Sequence, residues 1–451
     1  MELIAEYRAV IATLAGIAVL LGLILRARMN AFAALMIIAI GSALAAGMSP
    51  EHAFNAVRNG MGGTLGFIAP IIGLGALFGA ILESSGGLRA LAASVSRVAS
   101  ATRQKWLMGG LGIVAATPVF FDVALIVLMP MISALSKRTG VVALGFGLPL
   151  CAGLAVGHAF IPPTPGPIAI AELIGADLGW VILFGAVTGL ISMAIAGPIW
   201  AGVLARRGLL PSGNLHKRDR PEEAMIAPAP LAGRVLFLIF LPLVLILFGT
   251  LASLVLPDGI AKDIITVVGH PFSALLIASG AVFLLLRPRD EAGKVRMRDA
   301  IEKSFEPTGI VILVTGAGGA FKQVLVDTGA GDQLAQMTLS LGLTPILAGY
   351  VLALLIRLAQ GSATVAMITA AGLAAPIVSS AGLNAPQLGL MTIAIAAGAT
   401  GLSHVNDSGF WLVGKLFGIN EQETLRTWTV STGLISVSGL VVCSILFLIV
   451  G

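Results

Sequence analysis

The fold class this sequence predicts is an all-α integral membrane protein, built as two inverted-topology repeats that each carry a re-entrant helical hairpin and a broken span. Three observations predict it. First, of 451 residues 57% are hydrophobic and only 11% are charged, against about 25% charged in an ordinary soluble chain, and the mean hydropathy is +1.00. Second, the apolar residues fall in runs long enough for helical spans, not in short alternating strands. Third, the map of charges and interruptions in the first half recurs with the opposite sense in the second. So little charge leaves the surface of a water-soluble globule uncovered, which excludes a soluble enzyme or a nucleic-acid binder, and the long runs exclude an outer-membrane barrel. The net charge of +5 belongs to basic loops of a membrane chain.

Taken in order, the first run covers about 8–25. Glu2 and Glu6 precede it, where a cleavable signal is basic, so a retained span is expected. Further spans are expected at about 31–48, 64–82, 179–204, 231–256, 264–286, 306–326 and 427–450. The zones 105–175 and 344–415 are apolar but broken by Gly, Pro and polar residues. Such breaks at membrane depth are tolerated only inside protein or beside a watery cavity. Cys151 and Cys443 stand isolated in apolar segments and make neither a disulfide framework nor a metal box. No GxxxxGK[ST] loop is present to bind ATP, and no cofactor is expected.

Basic clusters fix the orientation. Arg26 and Arg28, Lys137 and Arg138, Arg206 and Arg207 with His216 to Arg220, and Arg287 to Lys303 are expected on the cytoplasmic side. The segment 205–230, rich in Pro and charge, reads as a cytoplasmic linker between membrane halves 1–204 and 231–451. Span 64–82 then runs inward, and the zone of about 105–136 starts and ends inside, a hairpin turning at Thr117-Pro118. Span 306–326 runs outward, and the zone of about 344–376 starts and ends outside, turning at Gln360-Gly361-Ser362. A weak repeat supports the pairing: at a constant offset of 243, Gly66, Gly73, Gly75, Phe78 and Gly86 match Gly309, Gly316, Gly318, Phe321 and Gly329.

In inverted-repeat carriers, substrate binds near the midplane where broken helices expose backbone groups and helix ends. Four stretches qualify: the tips at 116–122 and 357–364, and the breaks after His158 (PPTPGP at 162–167) and at 401–409. Asp122 and Asp407 are ionisable groups at membrane depth, expensive unless functional or paired; they take part either in proton coupling or in a structural hydrogen bond to a hairpin tip. His158 and His404 serve as proton relays or as neutral ties between broken backbone segments. Thr117, Thr164, Gln360, Ser362, Thr364, Ser403, Asn406 and Ser408 are candidates to bind sugar hydroxyls or a carboxylate, against the alternative that small polar residues glue membrane helices. Arg357 offers a carboxylate clamp or a partner for a nearby acid. Lys322 snorkels or binds, and Glu83 reads as a helix-end residue.

These stretches resemble the gluconate permease family, the gluconate:proton symporters. The matching motifs are ESSGG at 83–87, FFDVA at 120–124, His158 with PPTPGP after it, GAGGAFKQVL at 316–325, AQGSATVA at 359–366 and GLSHVNDSGFWLV at 401–413. The resemblance spans nearly the whole chain. It implies a carrier for sugar acids in the bacterial inner membrane, and kinship with an ion-transporter superfamily of dimers with paired re-entrant hairpins and elevator-like transport. Relatives carry gluconate, other aldonates, glycerate or D-serine. Those with Na⁺ sites line their hairpin tips with Ser, Asn and Thr, whereas this chain has an Asp in each half. The expectation is therefore proton symport of a gluconate-like anion by a homodimer, with Asp407 as the main proton carrier and His404 tuning it. Na⁺ coupling, an intramembrane hydrolase using Asp122 and Asp407 as a dyad, and a channel are the alternatives. Twofold organisation with equivalent breaks fits a carrier and gives no help to a hydrolase.

The charge map places both termini outside and the 205–230 loop inside. In a Leu215→Cys variant of otherwise unlabelled protein, an impermeant thiol reagent added to intact cells is expected to leave position 215 unmodified; labelling there contradicts the topology.

Overall fold

The computed structural model describes residues 8–27, 29–96, 98, 100–212, 230–288, 290–330 and 344–451. Most of the expected linker, including His216 to Arg220, lies outside the described residues, as do Arg28 and Arg289. Among the described residues all regular structure is helical. The first half comprises α1 (Arg8–Leu25), α2 (Ala31–Ala46), α3 (Pro50–Ser84), α4 (Gly87–Ser96), α5 (Ala101–Ala116), α6 (Phe121–Thr139), α7 (Leu144–Phe160), α8 (Pro165–Ile174) and α9 (Leu178–Arg206), the last with a π-turn at Ile195–Ile199. The second half comprises α10 (Ala232–Val255), α11 (Ile260–Gly269), α12 (Pro271–Leu286), α13 (Glu291–Asp327), α14 (Pro345–Gln360), α15 (Ala363–Ser380), α16 (Ala385–Thr400), α17 (Ser408–Phe417) and α18 (Glu421–Val450), with a π-turn at Leu425–Thr429. Among the described residues, seven helices are long and apolar enough to cross a membrane, or eight if the bent pair α11–α12 counts as one span.

Two expected spans differ from the structure in instructive ways. The run at 64–82 is only the second half of α3, which starts at Pro50. Ser49 caps it by accepting from the His52 amide at 3.3 Å, and Pro50 at the first helical position needs no amide partner, so the polar first turns stay helical. The run at 264–286 is not one rod: α11 and α12 meet at a 63° bend. His270 precedes Pro271 and adopts φ −58°, ψ 136°, because a residue before proline is driven out of the helical region.

The broken helix α7–α8, together with α15 and α16, is almost wholly enclosed by other helices. That enclosure removes the interrupted backbone from lipid, as the absence of water in a bilayer demands. Large apolar side chains such as Phe237, Phe248, Val255, Ile264 and Leu284 instead stand exposed on α10 to α12. In each half the first arm of a helix pair lies against the helix that leads into a break. α5 packs on α7, where a Cβ on Gly153 would stand 2.0 Å from the Gly109 carbonyl oxygen. α14 packs on α16, where a Cβ on Gly398 would stand 2.3 Å from the Tyr350 oxygen. Backbone contact of this kind is how helices associate when no hydrophobic force separates them from lipid, and it carries the helix ends at 116 and 360 to the centre.

The Gly153 contact predicts a sharp positional effect. Gly153→Ala should lower the melting temperature of detergent-purified protein, with an overpacking cost of about 1–3 kcal/mol. Gly280→Ala, whose added carbon meets nothing within 4 Å, should leave melting unchanged or raise it slightly. Equal melting of the two variants would contradict the packing described.

Candidate functional site

The cavity that gathers most of the candidate residues measures about 220 Å³. It lies where α5 gives way to α6, α14 to α15, and α16 to α17. The turn between α14 and α15 is only Gly361 and Ser362. Gly361 sits at φ +83°, and a Cβ there would stand 2.1 Å from the Asn406 carbonyl oxygen, so only glycine fits a tip pressed against the 401–407 loop.

An ion pair locks this contact. Arg357, one turn before the end of α14, keeps 5% of its side chain exposed, and Asp407 keeps 12%. The Arg357 guanidinium donates through Nη1 to the Gly361 carbonyl and through Nη2 to Asp407 Oδ2. Asp407 Oδ2 also accepts from the Ser403 hydroxyl, and Oδ1 accepts from the Gly409 amide at 3.0 Å, capping α17. The Trp428 indole N–H donates to Ser403 Oγ at 2.9 Å. Arg357 Nε is buried and has no hydrogen-bond partner. Of the two readings of Arg357, the partner of an acid is the one seen.

Asp122 differs from Asp407. It is exposed in the first turn of α6 and lines the cavity. Among the described residues it makes no hydrogen bond or ion pair, and the Asp407 carboxylate acts on it as a like charge. His158 Nε2 meets Thr364 Oγ1 at 3.2 Å, joining the two halves across the cavity, while its Nδ1 is buried and unpartnered. Three helices, α6, α15 and α17, begin at the cavity wall. Ser362 caps α15 and Asp407 caps α17, but Phe120 supplies no side-chain cap to α6. The first amides of α6 therefore have no side-chain acceptor, and a helix N-terminus of this kind favours an anion.

The structure thus brings Asp122, His158, Arg357, Ser362, Thr364, Asp407 and Ser408 to one cavity, with Ser403 one hydrogen bond behind. Five candidates lie outside it. His404 Nε2 and Asn406 Nδ2 both meet the Leu358 carbonyl, at 3.1 and 2.8 Å, and tie the loop to α14. Thr117 and Thr164 donate to the Ile113 and Ile161 carbonyls and line a second, smaller cavity that shares His158 with the first. Gln360 carries a buried, unpartnered Oε1 but is not on the main wall. Lys322 interacts electrostatically with Glu172 of α8, away from the cavity. Sequence reasoning overlooked Phe121 and Trp428, which line the cavity; an aromatic side chain carries no polar signal that would single it out.

Comparison with known proteins places the chain. A family model described as the GntP family permease matches residues 8–449. The low-affinity gluconate transporter of Escherichia coli K12 is 37% identical over 441 residues, 97% of this chain and 98% of its own. A gluconate permease of Pseudomonas aeruginosa is 36% identical over 95% of each chain. The L-idonate transporter of Escherichia coli K12 is 34% identical over 94% of this chain and 96% of its own. Among solved structures, the YdaH transporter of Alcanivorax borkumensis superposes with TM-score 0.59 at 16% identity over 88% of each chain. MtrF of Neisseria gonorrhoeae gives TM-score 0.66 at 15% identity, over 89% of this chain and 85% of that one. The structural likeness establishes the fold, and the sequence match establishes the kinship: the chain belongs to the GntP family of permeases and is a multi-pass membrane transporter, not an enzyme.

Proposed function

We propose that this permease imports a sugar acid of the gluconate type together with a proton. The observation that carries the reading is the convergence of three helix N-termini from both halves on one cavity that also holds a buried guanidinium. Helix N-termini attract an anion, and broken helices place them at the midplane of carriers. Hydroxyls of Ser362, Thr364 and Ser408 stand on the same wall for the polyol. The names of the relatives at 37% and 36% identity supply the gluconate-like class.

The charges of the cavity suggest how the proton is coupled. Arg357 is already matched by Asp407, which leaves Asp122 as the unmatched carboxylate of the wall. With Asp122 ionised, the cavity carries one guanidinium against two carboxylates and repels a second anion. With Asp122 protonated, the wall is balanced and the uncapped start of α6 is open to the substrate carboxylate. Entry of the anion and of the proton are thereby linked. The sequence favoured Asp407 as carrier with His404 tuning it. The engagement of Asp407 with Arg357, and of His404 with a backbone carbonyl outside the cavity, moves that role to Asp122, with His158 beside it. A negative-inside potential opposes anion entry by about 2.3 kcal/mol per 100 mV, and one co-transported proton cancels the charge.

We further read α5–α6 and α14–α15 as re-entrant hairpins, and 1–204 and 231–451 as inverted repeats joined by the 205–230 linker. Support comes from the matching order of elements: a long helix (α3, α13), a helix pair (α5–α6, α14–α15), a broken helix (α7–α8, α16–α17) and a long helix with a π-turn (α9, α18).

Uptake of labelled gluconate into proteoliposomes under an imposed pH gradient tests the reading. Asp122→Asn should lose accumulation while retaining gluconate exchange. Asp407→Asn should lose both, because it leaves a buried guanidinium unpaired at a cost of about 3–5 kcal/mol. Accumulation by Asp122→Asn equal to that of the native protein, or uptake driven by a Na⁺ gradient alone, would overturn proton coupling through this residue.

A further inference from the structure

Two of the hydroxyls that line the main cavity give their protons to the backbone. Thr400 Oγ1 donates to the Ala396 carbonyl at 2.8 Å, and Thr432 Oγ1 donates to the Thr429 carbonyl at 3.0 Å. Thr364, in the first turn of α15, is different. Among the described residues its one hydrogen bond is with His158 Nε2, at 3.2 Å, and both residues line the cavity. A threonine hydroxyl has one proton to give and two lone pairs to accept with. The direction of the bond to His158 therefore decides what Thr364 can offer a ligand, and that direction depends on which ring nitrogen carries the proton.

The other ring nitrogen limits the choice. His158 Nδ1 is buried and has no hydrogen-bond partner among the described residues. A doubly protonated ring would bury a charge together with an unpartnered N–H. A ring protonated at Nδ1 alone would bury an unpartnered N–H, a rare defect in folded proteins. A proton on Nε2 alone leaves only a lone pair without a partner. We propose that His158 is held as the neutral Nε2–H tautomer and acts as a positioning residue, donating to Thr364 Oγ1 and so leaving the Thr364 proton for the substrate. The inference rests on the reading of the cavity as a sugar-acid site and deepens it. Thr364 then presents a donor, matched to a carboxylate or hydroxyl oxygen of the sugar acid. In the other tautomer its proton goes to the ring, and it offers a ligand only lone pairs. The donor is assembled across the chain, since His158 comes from the last turn of α7 and Thr364 from the start of α15. The titratable and charged groups of the wall thereby divide: Arg357 and Asp407 are paired, Asp122 changes charge on the proposed coupling, and His158 keeps one charge state throughout.

The tautomer is read directly by nitrogen-15 NMR of histidine-labelled protein in detergent, with the His158 signals identified by their loss in His158→Gln. A bare Nδ1 and a protonated Nε2 are expected; a proton on Nδ1 overturns the proposal. The consequence is read by labelled gluconate exchange in proteoliposomes. Thr364→Val should raise the KM of exchange about three- to tenfold, the size of one lost hydrogen bond, with little change in the maximal rate. His158→Leu should do the same, and the double variant should be no worse than either single one, because the two side chains act through one bond. His158→Gln, whose amide N–H can donate to the same hydroxyl, should recover most of the affinity and keep accumulation under a pH gradient. Fully additive effects in the double variant overturn the positioning role. Loss of accumulation in His158→Gln with exchange intact also overturns it, by making His158 a proton carrier. If His158→Leu fails to fold, Thr364→Ser decides the matter: it keeps the hydroxyl and should stay near the native KM, and a KM equal to that of Thr364→Val overturns the proposal. Absence of gluconate exchange in the native protein would instead overturn the sugar-acid reading itself, and the NMR result would still decide the tautomer.

Discussion

Arg357 stands within one turn of the end of α14 with almost none of its side chain exposed, and a guanidinium cannot shed its charge to escape that environment. It needs a carboxylate, and Asp407 supplies it from a loop fifty residues further along the chain. The pair holds the Gly361 tip against the 401–407 loop, and Asp407 simultaneously caps α17. One carboxylate thus sets the end of one helix, the start of another and the floor of the cavity between them. Buried ion pairs add little net stability when desolvation is counted, but removing one partner is severe. The pair therefore acts less as a source of stability than as a constraint on where the tip can sit.

The constraint works because the backbones around it come into contact. Where α5 meets α7 and α14 meets α16, glycines let carbonyl oxygens occupy the space a Cβ would take. Such contacts are short-ranged and leave little freedom, so the ends of α5 and α14 are placed to within the tolerance of van der Waals packing. The interrupted helix α7–α8, with α15 and α16, is itself enclosed by other helices, so its polar backbone groups do not face lipid. The same enclosure shapes the cavity, at whose wall α6 begins without a side-chain cap.

The two acidic residues of the cavity have different surroundings although the sequence presents them alike. Asp407 accepts three hydrogen bonds, from Arg357, Ser403 and Gly409, and is engaged through both oxygens. Asp122 has no such partner among the described residues. One carboxylate is tied into the structure and the other is not, and on the proposed coupling the first balances the buried cation while the second changes its charge between loaded and empty states.

By itself the sequence determined the membrane class, the positions of most spans and the four interruptions, because these depend on local composition and on residues such as Pro162, Pro163 and Gly361 whose backbone preferences act within one turn. It also singled out the ionisable residues, since charge in an apolar run is visible without coordinates. It did not separate Asp122 from Asp407, nor His158, which bridges to Thr364 across the cavity, from His404, which binds a nearby carbonyl. It passed over Phe121 and Trp428, because an aromatic residue facing a cavity and one facing lipid look the same in a string of letters. Only the tertiary structure decided these points, for a physical reason: the partners that give each side chain its role lie tens to hundreds of residues away, and they meet only after the glycine-lined helices have closed and the turn between α14 and α15 has met the 401–407 loop.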